Sequence, residues 1–527
     1  MNTHAHGPLL FEGKEWDFGT LMRMEEACAQ IAVGELGLNV SPNQLEVITS
    51  EQMLDAYASL GMPINYRHWS FGKRYAEHQK PYQRGLSGLA YEIVINTNPC
   101  ISYLMEENSA TMQALVIAHA AFGHNHFFNN NYLFKQWTDA GSILDYLEFA
   151  KGYITDCEQR YGVDRVERLL DAAHALAPQG VFHHSGKRKT KNDQKKEKKR
   201  LIKRAVDEEH DYNDLWRTVP DLRLKRPETL SEELRKSLLG LPEENVLYFL
   251  AKHAPKLEPW QREILRIVST IAQYFYPQPR TKVMNEGCAT YVHYRIMTRL
   301  HETGQISDGS FQEFLISHTN AISQPGYDSP YFRGFNPYAL GFGMMRDIER
   351  IVSGINPLTG APCTEEELRE HKAYFPAIAG TGDVMKVLRD AWANYRDDSF
   401  IAQFLSPRLM RNMGLFCIED DPERKEGLLV EATSKPQDYD RLRMWFSNQH
   451  DQSRREPMID VIHADLSGDR RLVLRNRVHN KVLLAEKGRA KVLQHLANLW
   501  GYEVALCEMD YDTDELLKTH KTEPQVS

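Results

Sequence analysis

Three histidines crowd into the stretch IAHAAFGHNHFFNNN: His119, His124 and His126. Imidazole is a common ligand of borderline divalent metals, so a shared ion is the chemistry this cluster suggests. In the preceding segment Met112, Leu115 and Val116 make one apolar face. His119 follows Met112 by two helical turns and returns to that face within ~20°, so it points inward. A buried imidazole needs a partner at each ring nitrogen. The spacing restrains the metal reading. On an ideal helix His119 and His124 stand ~140° apart. They converge only where the helix bulges or ends, and Gly123 sits where that could happen. His119 and His126 share a face but lie ~10.5 Å apart along the axis. The zinc-protease pattern H-E-x-x-H is absent.

A second cluster lies in TKVMNEGCATYVHY. Val283, Met284, Cys288, Ala289, Val292 and Ile296 make its helix apolar in most directions, while Glu286, Thr290 and His293 share one face. A carboxylate on so apolar a helix must be neutral, paired or bound to metal. Two readings stay open. In one, His119, His124, His126 and Glu286 bind a divalent metal, zinc by preference, with His293 as a further ligand or proton shuttle. In the other the same groups form a buried hydrogen-bond network. Glu92, in a strand, and Glu107, at the head of the histidine helix, are candidate bases. Glu107 also serves simply as negative charge at a helix N-terminus. No G-x-S-x-G elbow occurs, so a Ser-His-Asp reading has no support, and no P-loop or dinucleotide fingerprint occurs either.

The elements that must position these residues are mostly helical. Helical periodicity marks Phe18–Leu36, Met53–Leu60, Asn108–Phe122, Ala140–Tyr161, Trp260–Phe275, Thr281–Leu300, Asp347–Ile355 and Met385–Phe404. Ala90–Ile95 predicts a short strand. QPGYDSPYFRGFNPYALGFG has the composition of an ordered loop that could wall a site. Near the end, MIDVIHADL and RRLVLRNR flank a Ser467-Gly468-Asp469 turn. Glu486–Trp500 follows as an amphipathic helix closed by Gly501, and YEVALCE reads as a strand. The fold class expected is mainly α: a large helical domain with a small C-terminal α+β (β-β-α-β) module. The divisions expected are a helical core over 1–186 and 205–435, a basic insert at 187–204, the module over 436–511, and a polar, frayed tail over 512–527.

The chain has 527 residues, 42% of them hydrophobic, enough to bury a large core and too many for a mostly disordered protein. A formal net charge of −8 argues against a general polyanion binder. Against that background, Lys187–Arg204 holds eleven basic and two acidic residues. It reads as a solvated linker or as a docking site for an anionic partner. Seven widely spaced cysteines without a C-x-x-C pattern argue for reduced thiols. No secretory signal and no membrane-length apolar run appear, so a cytoplasmic protein is expected.

The chain resembles the stage V sporulation protein R (SpoVR-like) family. The likeness is carried by HWSFGK (68–73), YEIVINTNPC (91–100), AH-x4-H-x-x-FF-NN (118–130), EPWQREIL (258–265), QYFYPQ (273–278), TKVMNEG-x-A-x-Y-x-H (281–293), NPYALG (336–341) and LANLWGYEVAL (496–506). Two departures stand out: the family often has Asp in place of His126 and Trp in place of Cys288. The resemblance implies a role in the spore cortex, a peptidoglycan layer, or in stationary-phase stress. It also implies association with a PrkA-type serine kinase and a von Willebrand-like protein. The two clusters point to a metal-dependent hydrolase, and the family's role implies peptide or amide bonds of cell-wall material as its substrate class. The alternative is a non-enzymatic regulatory or scaffold protein that acts with those partners.

Overall fold

The computed structural model describes residues 8–59, 65–71, 73, 92–184, 236, 239–420, 428–432, 436–466 and 468–525. The basic segment Lys187–Arg204 and most of the HWSFGK-to-Leu89 stretch lie outside the described residues. Contacts divide the chain into two compact units, Met1–Thr155 with Tyr274–Arg455, and Asp156–Gln273 with Glu456–Ser527.

The first unit is built around two buried helices. The histidine helix starts at Ala110, where the Ser109 hydroxyl accepts the Met112 N–H at 3.2 Å. It runs as α-helix to Ile117, as π-helix over Ala118–His124, and as α-helix again over Asn125–Asn130. The carboxylate helix, Lys282–Glu302, packs against it. No side chain of its own caps the carboxylate helix. Instead Asp397, from the start of the helix Asp397–Phe404, accepts the Val283 and Met284 N–H groups at 2.9 Å each. The Asp397 side chain there satisfies two orphan donors.

Glycines allow these helices to approach closely. A Cβ on Gly123 would lie 2.5 Å from the Ala289 Cα, and one on Gly287 would lie 2.6 Å from the Gly341 carbonyl carbon. Gly341 belongs to the helix Pro337–Ser353, which Asn336 caps and Pro337 opens. That helix begins about three turns before the Asp347 start read from the sequence. Its glycine-rich NPYALGFG head, which reads as loop, is helical because tertiary packing offsets the helix cost of glycine, about 1 kcal/mol each.

A three-stranded sheet flanks the pair, in the order β1 (Asn43–Ile48), β3 (Cys100–Met105), β2 (Glu92–Ile95). β1 runs parallel and β2 antiparallel to β3, with Glu92 opposite Leu104. The short strand expected at Ala90–Ile95 is therefore present, and it delivers Glu92. A two-stranded ladder of β4 (Phe416–Asp420) and β5 (Leu428–Ala432) completes the strands described in this unit. The helical period expected over Phe18–Leu36 splits into an α-helix, Phe18–Ala29, and a π-turn, Gln30–Glu35. The Met385–Phe404 period is broken into Val384–Asn394 and Asp397–Phe404.

In the second unit a four-stranded sheet runs β6 (Met458–Ala464), β7 (Leu472–Val478), β8 (Val504–Asp510), β9 (Leu516–Thr522). β6 and β7 form the expected hairpin, and β7 and β8 are parallel. A parallel pair needs a crossover, which the helix Glu486–Trp500 supplies. Gly501 ends that helix at φ 85°, in the left-handed region glycine adopts without strain. Trp500 is fully buried and donates its indole N–H to the Arg470 carbonyl at 2.6 Å. The tail expected to fray forms β9 instead, paired antiparallel with β8. Buried Glu508 explains part of its order, since its Oε2 meets His520 Nε2 of β9 at 2.9 Å. The protein is thus mainly α with a small C-terminal α+β module. Among the described residues no helix is long and apolar enough to cross a membrane.

Candidate metal centre

The π-helical turn brings the two histidines together. Hydrogen bonds in such a turn run from i to i+5, so residues five apart return to one face. His119 and His124, splayed on an ideal α-helix, here have ring centroids 4.6 Å apart and nearly perpendicular planes. Gly123 lies inside the turn and lets its backbone rest on Ala289.

Two carboxylates close the cluster. His119 Nε2 lies 3.2 Å from Glu92 Oε1 and 3.9 Å from Glu286 Oε2, and His124 Nε2 lies 3.6 Å from Glu286 Oε2. One donor atom each from Glu92, His119 and His124 falls within 4.8 Å of the others, a grouping that could hold a metal ion. Two ligands ~2.0–2.1 Å from one ion at a tetrahedral angle sit about 3.3 Å apart, close to the separations found here. The Glu92 and Glu286 side chains keep 19% and 17% exposure, so the cluster has a way in from outside.

The donor set is electrostatically unfinished. The Asn285 Oδ1 atom lies 2.9 Å from His124 Nδ1, so that nitrogen carries a proton, and in the neutral ring Nε2 carries the lone pair. Nε2 then faces Glu286 Oε2, a buried oxygen that accepts no hydrogen bond. Acceptor opposes acceptor, and only a proton or a cation between them removes the conflict. Burial, and then the nearby Glu286 charge, push the Glu92 carboxyl well above its ordinary range. Burial, and then His124 and His293, hold His119 well below the usual imidazole range. Both shifts favour the neutral forms, so the two residues do not make a self-sufficient ion pair.

Five of the seven residues singled out in the sequence meet here: Glu92, His119, His124, Glu286 and His293. His293 Nδ1 is 2.8 Å from His119 Nδ1. The other two lie elsewhere. His126 Nδ1 takes the Asn39 N–H at 3.0 Å, and its ring packs edge-on against Trp392. Glu107 Oε1 accepts the Ser50 N–H at 3.3 Å in an exposed position.

Four neighbours of the centre are not among the residues singled out in the sequence. Asn285 adjoins Glu286, and its place beside a carboxylate was the only signal it gave. His318 stands on the helix Asp308–Ala321, whose pattern carries no sign of a site, yet its Nδ1 lies 2.9 Å from His293 Nε2. Tyr338 stacks near His119 with ring centroids 6.5 Å apart, and Phe128 stacks on His124 at 5.8 Å.

Comparison with known proteins bears on the whole chain. Residues 15–455 match the family model described as SpoVR like protein, and residues 457–511 match that of the SpoVR-like C-terminal domain. The chain is 49% identical over 505 residues to a protein of Escherichia coli (strain K12) described as uncharacterized protein YcgB, covering 95% of this chain and 94% of that one. No solved structure matches. With matches of this extent, including the stretches that carry both clusters, the chain belongs to the SpoVR-like family.

Proposed function

We propose that the protein is a metal-dependent hydrolase in which His119, His124 and Glu286 hold one zinc ion. The observation that carries this reading is the lone pair of His124 Nε2 facing the unsatisfied Glu286 Oε2 at 3.6 Å. A cation is the natural occupant between two acceptors, and two imidazoles with a carboxylate form a common ligand set of hydrolytic zinc. When bound, zinc polarises a carbonyl and lowers the pKa of a coordinated water to about 7.

The chain's own residues do the rest. Asn285 fixes the tautomer of His124. The π-turn keeps both imidazoles on one face, so little reorganisation is needed to bind an ion. Glu92 reaches the same space from β2 and holds or moves a proton at Oε1, the role of a general acid–base. Phe128 and Tyr338 limit the motion of the two rings and exclude water from their outer faces. The substrate class is the one implied by the family resemblance, peptide or amide bonds of cell-wall material.

Elemental analysis of the purified chain beside two variants tests the proposal. Wild type should carry stoichiometric zinc, and His119→Ala and Glu286→Ala should lose it while remaining folded by circular dichroism. Glu92→Gln should keep the metal and lose hydrolysis of peptidoglycan peptides. A wild-type protein without metal, or variants that retain it, would remove the basis for the hydrolase reading.

A further inference from the structure

Three buried imidazoles form a chain that ends at the candidate metal centre. His119 Nδ1 and His293 Nδ1 lie 2.8 Å apart, and His293 Nε2 and His318 Nδ1 lie 2.9 Å apart. The residues are 4%, 3% and 4% exposed, so bulk water cannot stand in for either contact. Phe314, Tyr294 and Phe342 pack around the His318 ring at centroid distances of 5.6, 5.2 and 4.8 Å and fix its place.

Each contact joins two ring nitrogens, so each needs one N–H and one lone pair. A charge on any of these three rings would be cut off from water, at a cost that a neutral ring avoids. Each ring is therefore neutral, with one proton and one lone pair. The chain then has only two proton registers. In one, His119 donates from Nδ1, His293 accepts on Nδ1 and donates from Nε2, and His318 accepts on Nδ1. In the other every bond is reversed, and His119 carries its proton on Nε2, toward Glu92 and Glu286. Only the first register leaves His119 Nε2 free to bind an ion.

We propose that His293 and His318 are positioning residues that lock His119 in the tautomer with its Nε2 lone pair turned to the metal. This inference rests on the metal reading above and deepens it. It also reassigns His293, which the sequence offers as a ligand or shuttle. Both its nitrogens are taken up by neighbouring histidines, so no donor atom remains for the ion. Partners of this kind orient a ligating histidine, and their loss costs about 10–100-fold in metal affinity.

The test uses the full chain and zinc alone, with affinity read by competition against a chromophoric chelator. His293→Phe and His318→Phe should each weaken zinc about 10–100-fold. His293→Gln should retain most of the affinity, because its carbonyl accepts from His119 and its amide donates to His318. A packing role would not separate Gln from Phe in this way. In parallel, nitrogen-15 NMR of the histidines in the zinc-loaded wild type should find the His293 proton on Nε2. That measurement decides the matter even where His293→Phe does not fold. A proton on Nδ1 of His293, or a folded His293→Phe that binds zinc as tightly as wild type, overturns the positioning role and leaves the metal reading standing. A wild type that binds no zinc overturns the metal reading, and the positioning role with it.

Discussion

Asp397 shows how a residue that touches neither ion nor substrate governs where Glu286 stands. Its two carboxylate oxygens hold the Val283 and Met284 N–H groups at the head of the carboxylate helix, one turn before Glu286. Burial pushes its carboxyl up from 3.8 to about 7, against the pull of those two donors. The folded protein thus keeps a proton that the unfolded chain has already released. The stability linked to that proton is present in acid and is lost as pH rises from about 4 through 7, after which it levels off. The shift sets an upper limit of about 4 kcal/mol. Asp397→Asn is neutral throughout and retains one acceptor. Urea midpoints at pH 5 and pH 8 should therefore show wild type losing stability relative to Asp397→Asn on going to pH 8. A relative gain would mean that the two N–H donors outweigh burial.

At the scale of elements the site depends on one irregular turn against one straight helix. A methyl at position 123 would stand 2.5 Å from the Ala289 Cα and 2.9 Å from its Cβ, and backbone there cannot yield as a flexible side chain would. Gly123→Ala should therefore destabilise by about 1–3 kcal/mol through overpacking and weaken zinc binding by displacing His119 and His124. Gly152, inside the helix Ile143–Tyr161, has nothing within 4 Å of its hypothetical Cβ. Gly152→Ala should instead be stabilising by about 0.5–1 kcal/mol, as for an ordinary helix interior. Paired denaturation curves check both signs, and equal effects would show that close packing at Gly123 is not what constrains it. This turn also marks the limit of what sequence spacing reveals. Three histidines, one glycine and a carboxylate on an apolar helix are visible as residues, and so is the need for a bulge. Which histidines converge is decided by an i-to-i+5 register that no apolar period encodes. Hence His124 joins the centre and His126 turns to Asn39. Glu92 arrives through strand pairing and His318 through helix packing, both contacts between residues distant along the chain.

Across the whole molecule, the second unit is assembled from two separate segments, and the sequence gives no sign of where the first begins and ends. The boundaries at Thr155 and Gln273 fall inside the continuous helices Ile143–Tyr161 and Pro259–Phe275. No Gly, Pro or Ser-rich linker marks them, because a helix that passes from one unit into the next keeps its apolar period throughout. The C-terminal module, by contrast, announces itself through a turn, an amphipathic helix and a left-handed glycine. The two units differ in chemistry as well. Glu92, His119, His124 and Glu286 all belong to the first, and the second contributes none of them. Zinc at ~100 times its dissociation constant should stabilise the unit that binds it by about 2.7 kcal/mol, close to 100-fold in the opening equilibrium. Hydrogen exchange followed by mass spectrometry should then slow in peptides from the histidine helix and from Lys282–Glu302, and a chelator should reverse the effect. Peptides from β6 to β9 should exchange at the same rate with and without zinc. Equal slowing in both units would mean that they open as one cooperative body, and slowing confined to β6 to β9 would place the zinc outside the His119–His124–Glu286 cluster.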